Sequence, residues 1–364
     1  MTKALYIHIP FCNHICGYCD FVRVGYQSSI ADRYLIELRK DLKNITENIS
    51  SIYIGGGTPS SLSTDQLELL FDSLNHLQSS DQEITFEANP ESLSLDKIKL
   101  LKRNGVNRIS LGVQSTQDSF LQSLDRQHSY MDVLNVIQQL EKEGISNVSL
   151  DFMYGIPNQK LTDLDTDLKA ILDLKPNHIS LYSLTIEPNS AFGKRGLKEA
   201  PVDLETQMYV KIQEILNRNG YSHYEISNYC KEGYESKHNL AYWHYEDFIG
   251  LGIGASSKVG NSRWTNSASL QNYLKGQRDY SQKVFLDSNE LAFEHLMMSL
   301  RLSTGIHLQS FNQTHQVNFL NKYQKVTDQF IGKNYLKIEN GYLFATDTGR
   351  LMLHDILVEY MDDN

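Results

Sequence analysis

The sequence predicts an α/β protein, in which six strand–helix units form a partial, TIM-type (β/α)6 barrel and a smaller C-terminal α+β domain, helical and winged, follows. Short β-rich runs alternate with longer helical patterns, as is typical of parallel strands joined by helices. The pattern changes after Gly220, where aromatic residues and glycines become frequent. A doubly wound sheet and a barrel both fit such units, and six units rather than eight favour a partial barrel.

The predicted barrel strands are short apolar runs, each followed by a turn or a helical pattern. They cover residues 4–8, 51–54, 83–87, 108–111, 148–152 and 178–183. The clearest helix start is Ser63, because Gln66 follows at the spacing of a capping box. Further helices are predicted over residues 94–103, 131–143, 161–174 and 203–219, with glycine close behind several of them.

Three regions are expected along the chain. Residues 1–220 form the barrel, residues 221–288 a connecting segment, and residues 289–364 the C-terminal domain. Residues 221–229 are predicted to form a strand and residues 237–244 an aromatic-rich loop. In the C-terminal domain, a β-hairpin over residues 336–344 is expected to turn at Asn340-Gly341.

The composition indicates a globular protein with a sizeable core. Of 364 residues, 40% are hydrophobic and 21% charged, and 34 Lys and Arg against 44 Asp and Glu give a net charge of −10. This acidity argues against nucleic acid as a partner. No run is apolar enough to span a membrane, so any membrane contact is expected to go through a partner. The N-terminal residues do not form a signal peptide, and we therefore expect a cytoplasmic protein.

Three of the four cysteines, Cys12, Cys16 and Cys19, are closely spaced after the first predicted strand, in a Cys-x3-Cys-x2-Cys pattern. Such spacing is unlike a disulfide framework and suits a metal centre. Thiolates bind zinc and iron–sulfur clusters alike. A zinc site would need a fourth ligand, which His8 or His14 could supply, and three unrelated thiols are the remaining interpretation.

This cysteine pattern resembles the cluster loop of the radical S-adenosylmethionine (SAM) superfamily. The resemblance implies a barrel of the radical SAM kind, a [4Fe–4S] cluster held by the three cysteines, SAM as the ligand of the fourth iron, and an electron donor as a partner. The segments Gly55-Gly56-Gly57-Thr58-Pro59 and Glu87-Ala88-Asn89-Pro90 are similar to the superfamily's SAM-binding motifs. By this resemblance, the residues that contact SAM are Tyr6, Gly56, Gly57, Thr58, Glu87, Gln114, Arg126, Asp151 and Thr185.

Nearly the whole chain is similar to the family of oxygen-independent coproporphyrinogen III oxidase. The oxidase carries a further cysteine after the cluster motif and a longer N-terminal extension, whereas Asp20-Phe21 follow Cys19 here. The segment His238-Asn239-Leu240-Ala241-Tyr242-Trp243 is similar to the motif of the family's haem-chaperone branch. This implies that His238 is an axial ligand of haem, and that the chain delivers haem to apo-haemoproteins such as respiratory cytochromes.

Several alternatives stay open from the residues alone. His244 or His223 could be the haem ligand instead, and Cys230 is either a small buried side chain or a second ligand. Lys237 and Arg263 are candidates for binding the haem propionates. The chain could instead be an enzyme, either the oxidase or another radical SAM enzyme acting on a tetrapyrrole. In a third interpretation the C-terminal region binds nucleic acid and the cluster is a sensor, against which the acidity argues.

Overall fold

A twelve-stranded sheet dominates the computed structural model, which describes residues 4–362. The predicted outer limits at residues 1 and 364 therefore lie outside the described residues. The strands are β1 (Ala4–Ile9), β2 (Phe11–Cys12), β3 (Val24–Gly25), β4 (Ser51–Gly56), β5 (Glu83–Ala88), β6 (Arg108–Gln114), β7 (Asn147–Tyr154), β8 (His178–Ser183), β9 (Ser222–His223), β10 (Asn228–Cys230), β11 (Phe248–Leu251), β12 (Ser256–Val259), β13 (Ser262–Asn266), β14 (Tyr280–Phe285), β15 (Ile306–His307), β16 (Leu336–Glu339) and β17 (Tyr342–Ala345).

Helices follow most of the parallel strands and make up much of the C-terminal part. They are α1 (Ser28–Leu42), α2 (Thr64–Leu74), α3 (Leu95–Arg103), α4 (Asp118–Ser123), α5 (Tyr130–Lys142), α6 (Leu161–Leu174), α7 (Ala191–Lys194), α8 (Val202–Arg218), α9 (Lys237–Trp243), α10 (Leu270–Tyr273), α11 (Ser288–Ser299), α12 (Leu308–His315), α13 (Phe319–Lys322), α14 (Gln324–Gly332), α15 (Asp347–Leu351) and α16 (Leu353–Asp362). In residues 4–362, no helix combines the length and apolarity needed to cross a membrane.

The centre of the sheet is parallel and follows the order β1-β4-β5-β6-β7-β8. On one side β11 continues it in parallel beside β1, and β12, β13 and β14 follow antiparallel. On the other side β10 and β9 are antiparallel. Within residues 4–362, β14 and β9 end the sheet without pairing to each other, which confirms the predicted partial barrel.

The sequence explains why these segments form strands and helices. The barrel strands are buried on both faces, and in β1 the side chains of Leu5, Ile7 and Ile9 are fully buried. The predicted capping box at the start of α2 is confirmed, because the Ser63 hydroxyl accepts the Gln66 N–H and the Gln66 side chain accepts the Ser63 N–H. After α3 the chain turns at Gly105, which has a left-handed φ of +79°.

Two expectations for the connecting segment were wrong, and some elements of the fold were not predicted at all. Residues 221–229 are not one strand, because the chain bends between β9 and β10, which pair antiparallel. Residues 237–244 contain helix α9 rather than a loop, and its first turn is capped by the Ser236 hydroxyl, which accepts the Asn239 N–H. Residues 248–285 add four strands to the large sheet, and helix α1 fills the first strand–helix unit; neither was predicted.

The C-terminal part has a core of its own, which confirms the predicted helical α+β domain. Helices α11 to α16 pack around Leu296, Phe311 and Tyr360, beside a small sheet of β15, β17 and β16. The predicted hairpin is confirmed, and both turn residues, Asn340 and Gly341, have positive φ, at 51° and 83°.

Candidate functional site

The cysteine loop lies at the carboxyl end of the barrel strands, next to a cavity of about 390 Å³. Cys12 ends β2 and is 5% exposed, whereas Cys16 and Cys19 are half-buried. The loop is held by backbone hydrogen bonds, from the Cys19 N–H to the Cys16 carbonyl (3.2 Å) and from the Tyr26 N–H to the Cys12 carbonyl (2.9 Å). All three thiols are unpaired and line this cavity, which we call the cysteine cavity.

The thiols of the cysteine cavity suit a multinuclear metal group. Burial raises the pKa of Cys12, and it raises the pKa of Cys19 to about 11, so metal binding must displace protons here. Among residues 4–362, no three His, Cys, Asp or Glu side chains are placed to hold a single metal ion. In an iron–sulfur cluster each thiolate binds a different iron, so thiols spaced around a cavity fit it.

The two histidines proposed as zinc ligands lie in different surroundings. Both ring nitrogens of His8 are engaged, Nε2 with the Val22 carbonyl (2.7 Å) and Nδ1 with the Tyr6 hydroxyl (3.0 Å). His14 lines the cysteine cavity. His8 does not line the cysteine cavity, and a zinc ion bound at its Nδ1 would have to displace the Tyr6 hydroxyl.

A glycine turn leaves room beside the Cys12 sulfur. Gly56 has a φ of +115°, which disfavours any side chain there. A Cβ on Gly57 would lie 2.7 Å from the backbone carbon of Pro10 and 3.0 Å from the Cys12 sulfur. The bare backbone thus keeps open the space that a cluster and its ligand would occupy.

Arg126 links the cysteine loop to the ends of β5 and β6. Its Nη2 donates to the Asn89 Oδ1 (2.8 Å) and the Gly112 carbonyl (2.7 Å), and its Nη1 lies 3.6 Å from the Cys16 sulfur. Its Nε is buried and has no partner among residues 4–362. A buried donor without an acceptor costs free energy, so an anionic group bound in the cavity would satisfy it.

Two carboxylates form another side of the cysteine cavity. Glu87 accepts the Tyr53 hydroxyl (2.7 Å) and the Gly56 N–H (3.0 Å), while Asp151 accepts the hydroxyls of Ser110 (2.7 Å) and Ser149 (3.0 Å). Burial raises the pKa of Glu87 to about 7 although both hydrogen bonds lower it, and burial also raises the pKa of Asp151. Such carboxyls can accept hydrogen bonds from hydroxyl and ammonium groups.

The structure brings together most of the residues predicted to contact SAM. Those that line the cysteine cavity are Gly56, Gly57, Thr58, Glu87, Gln114, Arg126, Asp151 and Thr185. Gln114 ends β6 with a left-handed φ of 68°, and Thr185 is exposed. Tyr6 does not line this cavity; it lies in β1 and lines a neighbouring cavity beside His238. Sequence reasoning missed Tyr53 and Asn89, although Asn89 stands in the Glu-Ala-Asn-Pro segment itself.

His238 lies beside a second cavity, of about 660 Å³, which we call the His238 cavity. The side chain is 1% exposed, with its Nδ1 3.0 Å from the Ser51 hydroxyl and its Nε2 2.8 Å from the Tyr242 hydroxyl. Burial lowers the pKa of His238 to about 3, so the ring is neutral at pH 7. Apolar and aromatic side chains, with Trp243 and Phe248 among them, line much of the cavity, and polar residues such as Asp20, Glu87 and Asn239 also line it.

The two cavities are neighbours. Asp20, Phe21, Tyr53 and Glu87 line both of them, and Tyr6 lines the His238 cavity. These four residues therefore form a wall that the two cavities share.

The alternative haem-binding residues lie outside the His238 cavity. His223 stacks on Tyr229 with ring centroids 4.2 Å apart, and Cys230 is fully buried in β10. His244 is exposed and lines a different cavity. The propionate candidates are engaged elsewhere, Lys237 with the Asp81 carbonyl (3.4 Å) and Arg263 with Glu294 (3.3 Å).

Comparison with known proteins places this architecture in a family. Residues 6–171 match the Radical SAM superfamily, and residues 286–352 match the HemN C-terminal domain. The Heme chaperone HemW of Lactococcus lactis subsp. lactis (strain IL1403) is 34% identical over 372 residues, which cover 100% of this chain and 98% of that protein. The chain belongs to the HemW family.

Other comparisons agree with membership of the HemW family. The Heme chaperone HemW of Bacillus subtilis (strain 168) is 35% identical over 378 residues, which cover 99% of this chain and 100% of that protein. The solved structure of coproporphyrinogen III oxidase (HemN) from Escherichia coli has a TM-score of 0.87 with 20% identity, and covers 99% of this chain and 90% of that chain. At this identity the likeness concerns the fold alone.

Proposed function

We propose that this member of the HemW family is a haem chaperone, which binds haem and a SAM-ligated [4Fe–4S] cluster and delivers haem to apo-haemoproteins. The observation that carries the proposal is the shared wall of the cysteine cavity and the His238 cavity. The first cavity has the donors for a cluster, and the second is larger, mostly apolar and lies beside a neutral imidazole. The names of the relatives support haem as the cargo.

In the cysteine cavity, Cys12, Cys16 and Cys19 would hold the cluster. The SAM-binding residues would be Gly56, Gly57, Thr58, Glu87, Gln114, Arg126, Asp151 and Thr185, with Tyr6 behind the shared wall. When bound, the cluster supplies one-electron reduction of the SAM sulfonium, for which an electron donor is needed. The role of the chain is to offer the buried Arg126 Nε to the SAM carboxylate and to accept hydrogen bonds at Glu87 and Asp151.

In the His238 cavity, His238 would bind the haem iron through Nε2. That nitrogen lies 2.8 Å from the Tyr242 hydroxyl, so the Tyr242 side chain would have to turn away for iron to reach it. The Ser51 hydroxyl, 3.0 Å from Nδ1, can accept the other ring proton and so fix the tautomer that ligation requires. Phe21 and Trp243 would pack against the macrocycle.

The recipients we propose are respiratory cytochromes, in an encounter that takes place at the cytoplasmic face of the membrane. The four cysteines are unpaired thiols, as expected in a reducing compartment. We retain the division into residues 1–220, 221–288 and 289–364, in which the middle segment brings α9 and His238 to the barrel.

An anaerobic haem titration of the cluster-reconstituted protein, followed by absorbance, tests the proposal. We expect His238→Ala to weaken haem binding and to leave the cluster absorbance unchanged. His354→Ala is the matched control, because His354 is exposed on α16, outside both cavities. Haem binding that is equally weak in the wild-type protein and in His238→Ala would contradict the proposal, and coproporphyrinogen would then be the next ligand to test.

A further inference from the structure

A third and larger cavity, of about 890 Å³, lies between the barrel and the C-terminal domain. The barrel side contributes Leu240 and His244 around α9, and the C-terminal domain contributes residues of α11, α12 and the hairpin. Apolar walls come from Ile306, Phe311 and Phe344. We call it the interdomain cavity. None of the residues proposed above to hold the cluster, SAM or haem lines it, whereas His244, the alternative haem ligand from the sequence, does.

His295, on α11, lines the interdomain cavity and has the surroundings of a metal ligand. Its Nδ1 lies 2.9 Å from the His315 Nε2, and its Nε2 has no hydrogen-bond partner among residues 4–362. The ring stacks on Tyr245, with centroids 5.6 Å apart and planes at 17°, which fixes its orientation. A metal-binding imidazole typically donates its other N–H to an acceptor, and His315 can be that acceptor.

The charge of this histidine also suits a metal ligand. Burial, together with the neighbouring His315, Lys258 and His244, lowers the pKa of His295 to about 4. The neutral form is therefore the one present at pH 7, and it is the form that binds iron.

We propose that the interdomain cavity is a second haem site, in which His295 binds the iron. The proposal rests on the function proposed above for the identity of the cargo. The apolar walls suit the flat face of the macrocycle. Of the three histidines in the lining, His244, His295 and His307, we assign the iron to His295, because Tyr245 and His315 hold its ring in place. Glu235 and Glu339 also line the cavity and would repel propionates, so the hydroxyls of Ser303 and Thr304 are the donors available to these groups.

The experiment is a titration of the cluster-reconstituted full chain with ferric haem, with absorbance as the readout. We expect the wild-type protein to bind two equivalents of haem. His295→Ala and His238→Ala should each bind one equivalent, and the double variant should bind none. His315→Ala should weaken the interdomain site by roughly 10- to 100-fold, because loss of an outer partner has effects of that size. His354→Ala is again the control.

A titration with metal-free protoporphyrin distinguishes the loss of iron ligation from misfolding of a variant. This porphyrin has no iron, so His295→Ala should bind it at the interdomain cavity as tightly as the wild-type protein does. Phe344→Ala, in contrast, should weaken the binding of both haem and metal-free protoporphyrin. If His295→Ala is poorly folded by circular dichroism, His295→Gln replaces it. Unchanged ferric-haem affinity in the folded His295 variant overturns the second site.

The outcomes keep the two proposals apart. One equivalent that only His238→Ala loses overturns the interdomain site and leaves the proposed function intact. One equivalent that only His295→Ala loses supports the interdomain site and contradicts His238 as the ligand. No binding by the wild-type protein overturns both.

Discussion

Glu83 binds the backbone of His238, although the two residues are 155 positions apart: the His238 N–H donates to the Glu83 Oε1 at 3.1 Å. The Lys237 N–H donates to the other carboxylate oxygen at 3.0 Å. Glu83 stands at the start of β5 and is 5% exposed. A buried carboxylate thus fixes the first turn of α9 to the barrel, where it also complements the helix dipole.

We predict that Glu83→Ala lowers the free energy of unfolding by about 1.5–3 kcal/mol, the range for hydrogen bonds to a charged group. It should also weaken haem binding, because α9 carries His238. Chemical denaturation and haem titration measure the two effects. Glu68→Ala is the control, since its ion pair with Arg103 is exposed and contributes little. Equal stability of the two variants would show that Glu83 does not anchor α9.

The second prediction concerns the cysteine loop. Cys12→Ala, Cys16→Ala and Cys19→Ala should each lose the cluster, because every thiolate would bind a separate iron. The measurement is iron and sulfide content, with visible absorbance, after anaerobic reconstitution. Cys230→Ala should keep the full cluster, since Cys230 is buried in β10 away from the cysteine cavity. A single loop variant with full iron content would remove that cysteine from the ligand set.

The third prediction is a pH dependence of stability that comes from Glu87. Its pKa is about 7 in the folded protein, against an ordinary value of 4.5. Between these values the folded state binds more protons than the unfolded state, so its stability falls as pH rises from 4.5 to 7 and then levels. The change is about 3 kcal/mol at most, since one pKa unit corresponds to about 1.4 kcal/mol.

Glu87→Gln removes this titration, so the comparison isolates it from other groups. Urea denaturation of the cluster-free protein at pH 5 and at pH 7.5 should show wild-type stability falling relative to the variant. A difference between the two proteins that is constant over this range would mean that Glu87 does not titrate there.

Much of the barrel could be predicted because its signals are local. Apolar runs predicted the six parallel strands, and the spacing of Ser63 and Gln66 predicted the start of α2. Helix α1 carried a readable signal too, since Tyr34, Leu38 and Leu42 recur at helical spacing, and it was missed all the same. The bend between β9 and β10 was not visible in residues that alternate like one strand.

Other features depend on contacts between distant residues. Helix α9 is held at its start by Glu83, and β11 joins the sheet by pairing with β1. Neither element can therefore be predicted from the residues of its own segment. The resemblance to the radical SAM superfamily named Glu87, Gln114 and Asp151, and these three residues line one cavity. It also named Tyr6, which lines the neighbouring cavity instead.

The common wall of the cysteine cavity and the His238 cavity has a thermodynamic consequence. Tyr53 and Glu87 line both cavities, and the Tyr53 hydroxyl donates to Glu87 at 2.7 Å. Any displacement of this pair by one ligand alters the free energy of binding the other. Such coupling is reciprocal, so the factor by which an occupant of the cysteine cavity changes haem affinity is also the factor by which haem changes the affinity of that occupant.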